Sequence, residues 1–151
     1  MSEDTRATAS DRLAIRRIID ASPERVYAAW TNPALLTQWW GPPGSVVTII
    51  ECDIRVGGQY RFAIQIAPAS TYVVYGSYQV VQPLKKLVFS WRWEDPAMDI
   101  GSSLVIIEFH AQGERTEVVL THTQLPSEEA RNAHHAGWVG ILDHLDAWLH
   151  Q

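Results

Sequence analysis

The pattern that most constrains this chain is a change of hydrophobic period. From Val46 to Gln124 apolar residues recur at every second position in segments divided by turn residues; from Ser127 onward they recur at helical spacing in one long run. The period-two segments are Val46 to Asp53, Tyr60 to Ile66, Tyr72 to Val81, Leu87 to Glu94, Ser103 to His110 and Thr116 to Gln124. Gly57-Gly58, Gln82-Pro83, Asp95-Pro96 and Gln112-Gly113-Glu114 separate them with turn chemistry, which predicts an antiparallel meander with short links. In the closing run, Ala130, His134, Trp138, Ile141, Leu142, Leu145 and Trp148/Leu149 trace one stripe. Ser127 caps its start, and Glu128 and Glu129 lie in the first turn, where the helix dipole favours acids. At roughly 1.5 Å per residue such a helix exceeds 30 Å, enough to cross a sheet. An antiparallel sheet has one apolar face to cover, so the helix is expected to cover it.

The N-terminal part carries its own punctuation. Leu13 to Ile19 reads as a strand ending at Asp20. Ser22-Pro23 and Asn32-Pro33 each pair a capping side chain with a proline suited to the first helical position. Val26, Tyr27 and Trp30 share a face of the first short helix; Leu35, Leu36, Trp39 and Trp40 recur along the second, which Gly41-Pro42-Pro43-Gly44 stops. Residues 1–11 are polar and are expected to form a flexible tail, and residues 12–151 to form a single domain.

Composition removes several classes of function. The formal net charge is −5, and Lys and Arg are scattered, which opposes general nucleic-acid binding. Neither a secretory signal nor an apolar run long enough to span a bilayer is present, and the lone Cys52 cannot form an internal disulfide, so a cytoplasmic protein is expected. No HExxH, cysteine pair or spaced ligand set predicts a metal, and no cofactor is expected. A Gly-x-Ser-x-Gly elbow is missing, and Cys52 has acidic Asp53 as its neighbour, which disfavours the thiolate.

The element order of strand, two short helices, six strands and a long helix resembles the helix-grip fold of the START-like, or SRPBCC, superfamily. Ser22-Pro23-Glu24-Arg25-Val26-Tyr27, Ala29-Trp30-Thr31-Asn32-Pro33, Trp39-Trp40-Gly41-Pro42 and Asp53-Ile54-Arg55-Val56-Gly57-Gly58 narrow the likeness. So do Gly76-Ser77-Tyr78, Pro83-Leu84-Lys85-Lys86-Leu87-Val88-Phe89-Ser90-Trp91, and His134 to Trp138 with Leu142 and Leu145. In order and spacing these motifs resemble the family of homologues of the activator of heat-shock protein 90 ATPase, over about residues 12–150. The resemblance implies an α+β fold: a curved antiparallel sheet of about seven strands wrapped around the C-terminal helix, with two short helices between the first two strands. For function it implies a range, since that family includes a co-chaperone domain and the superfamily includes lipid carriers, hormone receptors and polyketide cyclases.

The candidate site is an internal cavity between sheet and helix that holds a small apolar or aromatic ligand. Seven tryptophans suggest an aromatic interior, and the expected linings are Trp40, Tyr60, Phe62, Trp91, Trp93 and Trp138, with His110, His122 and His134 on bordering elements. Filling the core is the competing role for these rings, and it is the expected one for Trp30 and Trp148. Which strand face turns inward depends on bulges that the sequence does not mark. A histidine could serve acid–base chemistry in a cyclase, dehydratase or hydrolase, though binding without catalysis is the leading expectation. The second is co-chaperone activation of a chaperone ATPase. Gly137 and Gly140 inside the helix suggest close packing against a neighbouring element. An exposed apolar strand edge would favour a homodimer.

Overall fold

The computed structural model describes residues 11–151, so the expected tail lies, but for Asp11, outside the described residues. Seven strands form one antiparallel sheet: β1 (Leu13–Ile19), β2 (Val46–Cys52), β3 (Gln59–Ala67), β4 (Ser70–Gln82), β5 (Lys86–Trp93), β6 (Ser103–Gln112) and β7 (Arg115–Thr123). Their spatial order is β1-β7-β6-β5-β4-β3-β2, a meander from β2 to β7 with β1 returning to pair with β7. Helices α1 (Pro23–Thr31) and α2 (Pro33–Trp39) join β1 to β2, and α3 (Glu128–Leu149) closes the chain. The fold class, strand count and element order expected from the sequence are all present.

The caps form as the sequence predicts. Ser22 accepts from the Arg25 amide, Asn32 from the Ala34 amide and Ser127 from the Ala130 amide, each satisfying an N–H that the first helical turn leaves unpaired. Trp40 ends α2 in extended conformation, and Gly41 and Gly44 take φ of +101° and +87°, a region that costs glycine nothing.

The bulges absent from the sequence pattern now fix the inward faces. Register shifts fall between Ile49 and Glu51, Gln65 and Ala67, and Tyr78 and Val80. With these, Tyr60, Phe62 and Ile64 of β3, Leu87, Phe89 and Trp91 of β5, Val105, Ile107 and Phe109 of β6, and Val118, Leu120 and His122 of β7 are buried on one face. Gly76, beside the β4 bulge, is held to glycine by its neighbour strand: a Cβ there would stand 2.0 Å from the Ser90 carbonyl oxygen. That oxygen accepts from the Tyr60 hydroxyl at 2.5 Å, so the close approach is locked in place.

Polar contacts clamp α3 along its C-terminal half. Arg17 of β1 pairs with Asp143 at 2.5 Å, Arg25 of α1 donates to the Leu149 carbonyl at 2.8 Å, and His144 Nδ1 donates to the Gly41 carbonyl at 3.0 Å. Among the described residues, the N-terminal half is tied to the sheet through aromatic and imidazole rings, as in Trp93 to His134 and Trp138 to His122.

Those rings belong to a cluster centred on Trp40, which is 2% exposed. Its indole lies 5.7 Å from Trp30, 5.4 Å from Trp39, 5.5 Å from Phe62, 6.2 Å from Trp91 and 5.6 Å from Trp138, mostly edge to face. Trp40, Tyr60 and Phe62 are 2%, 2% and 3% exposed and border a void of about 10 Å³, so all three occupy the core. Trp40→Ala should therefore lower the unfolding free energy by about 3–5 kcal/mol, read from urea denaturation. A loss under about 1 kcal/mol would contradict the core placement.

Candidate functional site

Where α3 stands off from the sheet, a partly open cleft of about 370 Å³ remains. Trp91 and Trp93 of β5, Ile64 and Ile66 of β3, and Met98 and Ile100 of the β5–β6 connection form one wall. The first turns of α3 form the other, with Ala130, Ala133, His134, Gly137, Trp138 and Ile141; Pro42, Ser127 and Glu129 complete the lining. The surface is predominantly apolar, as in most small-molecule sites.

Gly137 shows why the cleft exists at this height. A Cβ built on it meets no heavy atom within 4 Å, so the space beside this turn of α3 is empty. The packing expected around both helix glycines is found only at Gly140, whose Cβ would touch Pro43 and Pro42 at 3.6 and 3.7 Å. At Gly137 the missing side chain leaves open cleft.

At and behind the cleft wall, two histidines each sit in a separate hydrogen-bond chain whose proton positions follow from chemistry. An indole nitrogen can only donate, so Trp138 Nε1 donates to His122 Nδ1 at 3.0 Å, which leaves the His122 proton on Nε2. Nε2 then donates to Ser103 Oγ at 2.7 Å, and Ser103 donates onward to the Trp91 carbonyl at 3.1 Å. In the same way Trp93 Nε1 donates to His134 Nε2 at 3.1 Å, and His134 Nδ1 donates to the Ala130 carbonyl at 2.8 Å. Both imidazoles are neutral, with both nitrogens occupied. Their rings meet at 5.0 Å. Burial pushes His122 down to about 3, with the neighbouring His134 adding to the effect; burial also lowers His134, partly opposed by its bond to Ala130.

Of the nine expected site residues, the structure brings Trp91, Trp93, His134 and Trp138 to the cleft. His122 is fully buried behind it and holds Trp138 in place. Trp40, Tyr60 and Phe62 are core, as described above. His110 lies outside: Phe109 points inward on β6, so strand alternation turns His110 to the exposed face. The sequence reading missed Met98, Ile100, Pro42, Ser127 and Glu129, which come from connections and a helix start, where no periodicity marks a face. Ile64 and Ile66 carried the signal, since they continue the alternation of Tyr60 and Phe62.

Cys52 is half-buried, 4.0 Å from the Tyr78 hydroxyl. Desolvation raises its thiol, the hydrogen bond with Tyr78 offsets part of that rise, and the Asp53 charge adds a smaller upward push; the net direction is opposite to what a nucleophile requires. Among the described residues no group of three or more His, Cys, Asp or Glu converges as a metal site requires, and no helix is long and apolar enough to cross a membrane.

A seven-stranded antiparallel sheet gripping one long C-terminal helix, with paired short helices after the first strand, is the START-like helix-grip architecture. The family model described as Activator of Hsp90 ATPase homolog 1-like protein matches residues 20–150, and the chain belongs to that family. Solved structures agree. A protein from Chromobacterium violaceum is 25% identical with a TM-score of 0.83, covering 91% of this chain and 96% of its own. An AHSA1 protein from Silicibacter pomeroyi is 28% identical with a TM-score of 0.82 over 91% of this chain and 96% of that one. A Rhodobacter sphaeroides protein is 27% identical with a TM-score of 0.78 over 92% of each chain. No curated protein matches the chain.

The neutral histidines have a consequence for stability. In the unfolded chain each takes up a proton near its ordinary pKa of about 6.5, while the folded protein excludes it down to lower pH, to about 3 for His122. The unfolded state binds more protons within that window, so the unfolding free energy falls as pH drops below about 6.5, by up to about 1.4 kcal/mol per pH unit for each histidine. Urea denaturation between about pH 6.5 and 5, above the ordinary carboxylate range, should reveal this slope. His122→Gln should reduce it; an unchanged slope would refute the neutral, buried assignment.

Proposed function

We propose that this protein binds one small apolar or aromatic molecule in the cleft between β5 and the first turns of α3, without catalysing a reaction on it. The observation that carries the reading is the empty space at Gly137 within a cleft walled by Trp91, Trp93 and Trp138. Glycine inside a helix costs roughly 1 kcal/mol relative to alanine, and here no packing contact offsets it. A ligand supplies that contact when bound, and each buried CH₂ contributes about 0.8 kcal/mol to its affinity.

The two hydrogen-bond chains argue for binding over catalysis. A general acid or base must reach the reacting atom with a free nitrogen, and the nitrogens of His122 and His134 are engaged by Trp138, Ser103, Trp93 and Ala130. What these chains support is rigidity: they fix the indoles of Trp138 and Trp93, so less order is lost when a ligand enters.

Gly137→Leu is the decisive variant. It should fill the cleft, keep or raise the thermal midpoint because a poor helix former is replaced by a good one, and abolish binding. Calorimetric titration with naphthylethanol, alongside linear and cyclic apolar compounds, should give binding to the natural chain and none to the variant. Equal binding by both, or no binding by the natural chain across the panel, would sink the proposal.

A further inference from the structure

The cleft wall carries an uneven set of charges. Among the described residues, Glu129 is the one charged side chain lining it, exposed at the rim, and neither lysine nor arginine contributes to the lining. His134 is the remaining titratable group there, and it cannot supply a positive charge without breaking its own contacts. A proton on Nε2 would turn an acceptor into a donor facing the Trp93 N–H. The helix start adds a partial positive charge of about one half, but the Ala130 amide is already capped by Ser127, and Glu128 and Glu129 both occupy that first turn. The charge that lines the rim is therefore negative, and of the three indoles behind it Trp93 is the partly exposed one, whose π system can attract a cation, while Trp91 and Trp138, 2% and 1% exposed, form the floor.

We infer that the cleft selects an apolar molecule bearing a protonated amine, with its body against Trp93 and the apolar wall and its ammonium at the Glu129 carboxylate. This inference rests on the cleft being a binding site, as proposed above, and adds the class of ligand. A carboxylate of the same shape loses twice: it finds no cation, and it meets Glu129 at close range.

Three probes that share one ring and attachment point test the assignment: naphthylethylamine, naphthylethanol and naphthylacetate, titrated calorimetrically at neutral pH and low salt. The amine is expected to bind tightest, roughly tenfold tighter than the acetate, with the alcohol between them and the spread narrowing as salt is added. Glu129→Gln should bring the amine to the level of the alcohol. Glu128→Gln removes the same charge from the same helical turn but does not line the cleft, so it should keep the preference for the amine. Equal affinity for amine and acetate, or a preference that survives Glu129→Gln, overturns the ligand class while binding of the alcohol leaves the cleft reading standing. Failure of all three probes to bind overturns both.

Discussion

The indole of Trp40 touches Trp30 of α1, Trp39 of α2, Phe62 of β3, Trp91 of β5 and Trp138 of α3, so one side chain joins every layer of the fold. Edge-to-face aromatic pairs contribute about 0.5–1.5 kcal/mol each beyond the area they bury, and the contacts are mutually supporting because the rings share neighbours. This cluster sets how far α3 stands from the sheet. Rings of this size between helix and strands prevent aliphatic-scale packing along the N-terminal half of the helix. The C-terminal half is drawn in by Arg17, Arg25 and His144, and the mismatch between the two halves leaves the cleft.

The same cluster carries a polar cost that the protein offsets selectively. Trp39, Trp93 and Trp138 each donate to a partner, whereas the buried N–H groups of Trp30, Trp40 and Trp91 have no nitrogen or oxygen acceptor among the described residues. Leaving such a group unpaired costs about 1–3 kcal/mol, so the acceptors present are informative. For Trp93 and Trp138 they are histidines, residues that titrate near neutrality in water but are kept neutral here by burial and by their tautomers. Side chains that would first suggest catalysis serve as fixed acceptors for the walls of a cleft.

The paired tryptophans illustrate how a sequence signal changes meaning once contacts are known. Trp39 and Trp40 end a capped helix before a glycine-proline turn, a position that suits the mouth of a cavity. Both are buried, and the turn that follows sends Pro42 to the cleft instead. His110 and His122 make the same point on strands. Each is the last inward or outward residue of an alternating run, and only the pairing of β6 with β7 decides that His122 enters the core while His110 leaves it.

The sequence by itself determined the elements and their order. Capping residues, prolines at first helical positions, turn chemistry and the switch from period two to helical spacing are local, and they act over a few residues whatever the rest of the chain does. Strand bounds, the three capped helices and the single stripe of α3 were legible for that reason, and the motifs carried the family. Only the tertiary structure decided which aromatic rings meet, which face of each strand is inside, and where space remains. Bulges at Ile49/Glu51, Gln65/Ala67 and Tyr78/Val80 come from pairing with neighbours, and a cleft is defined by where side chains are absent. Gly137 has the same local signature as Gly140; the prolines that pack beside one and not the other are nearly a hundred residues away in the chain.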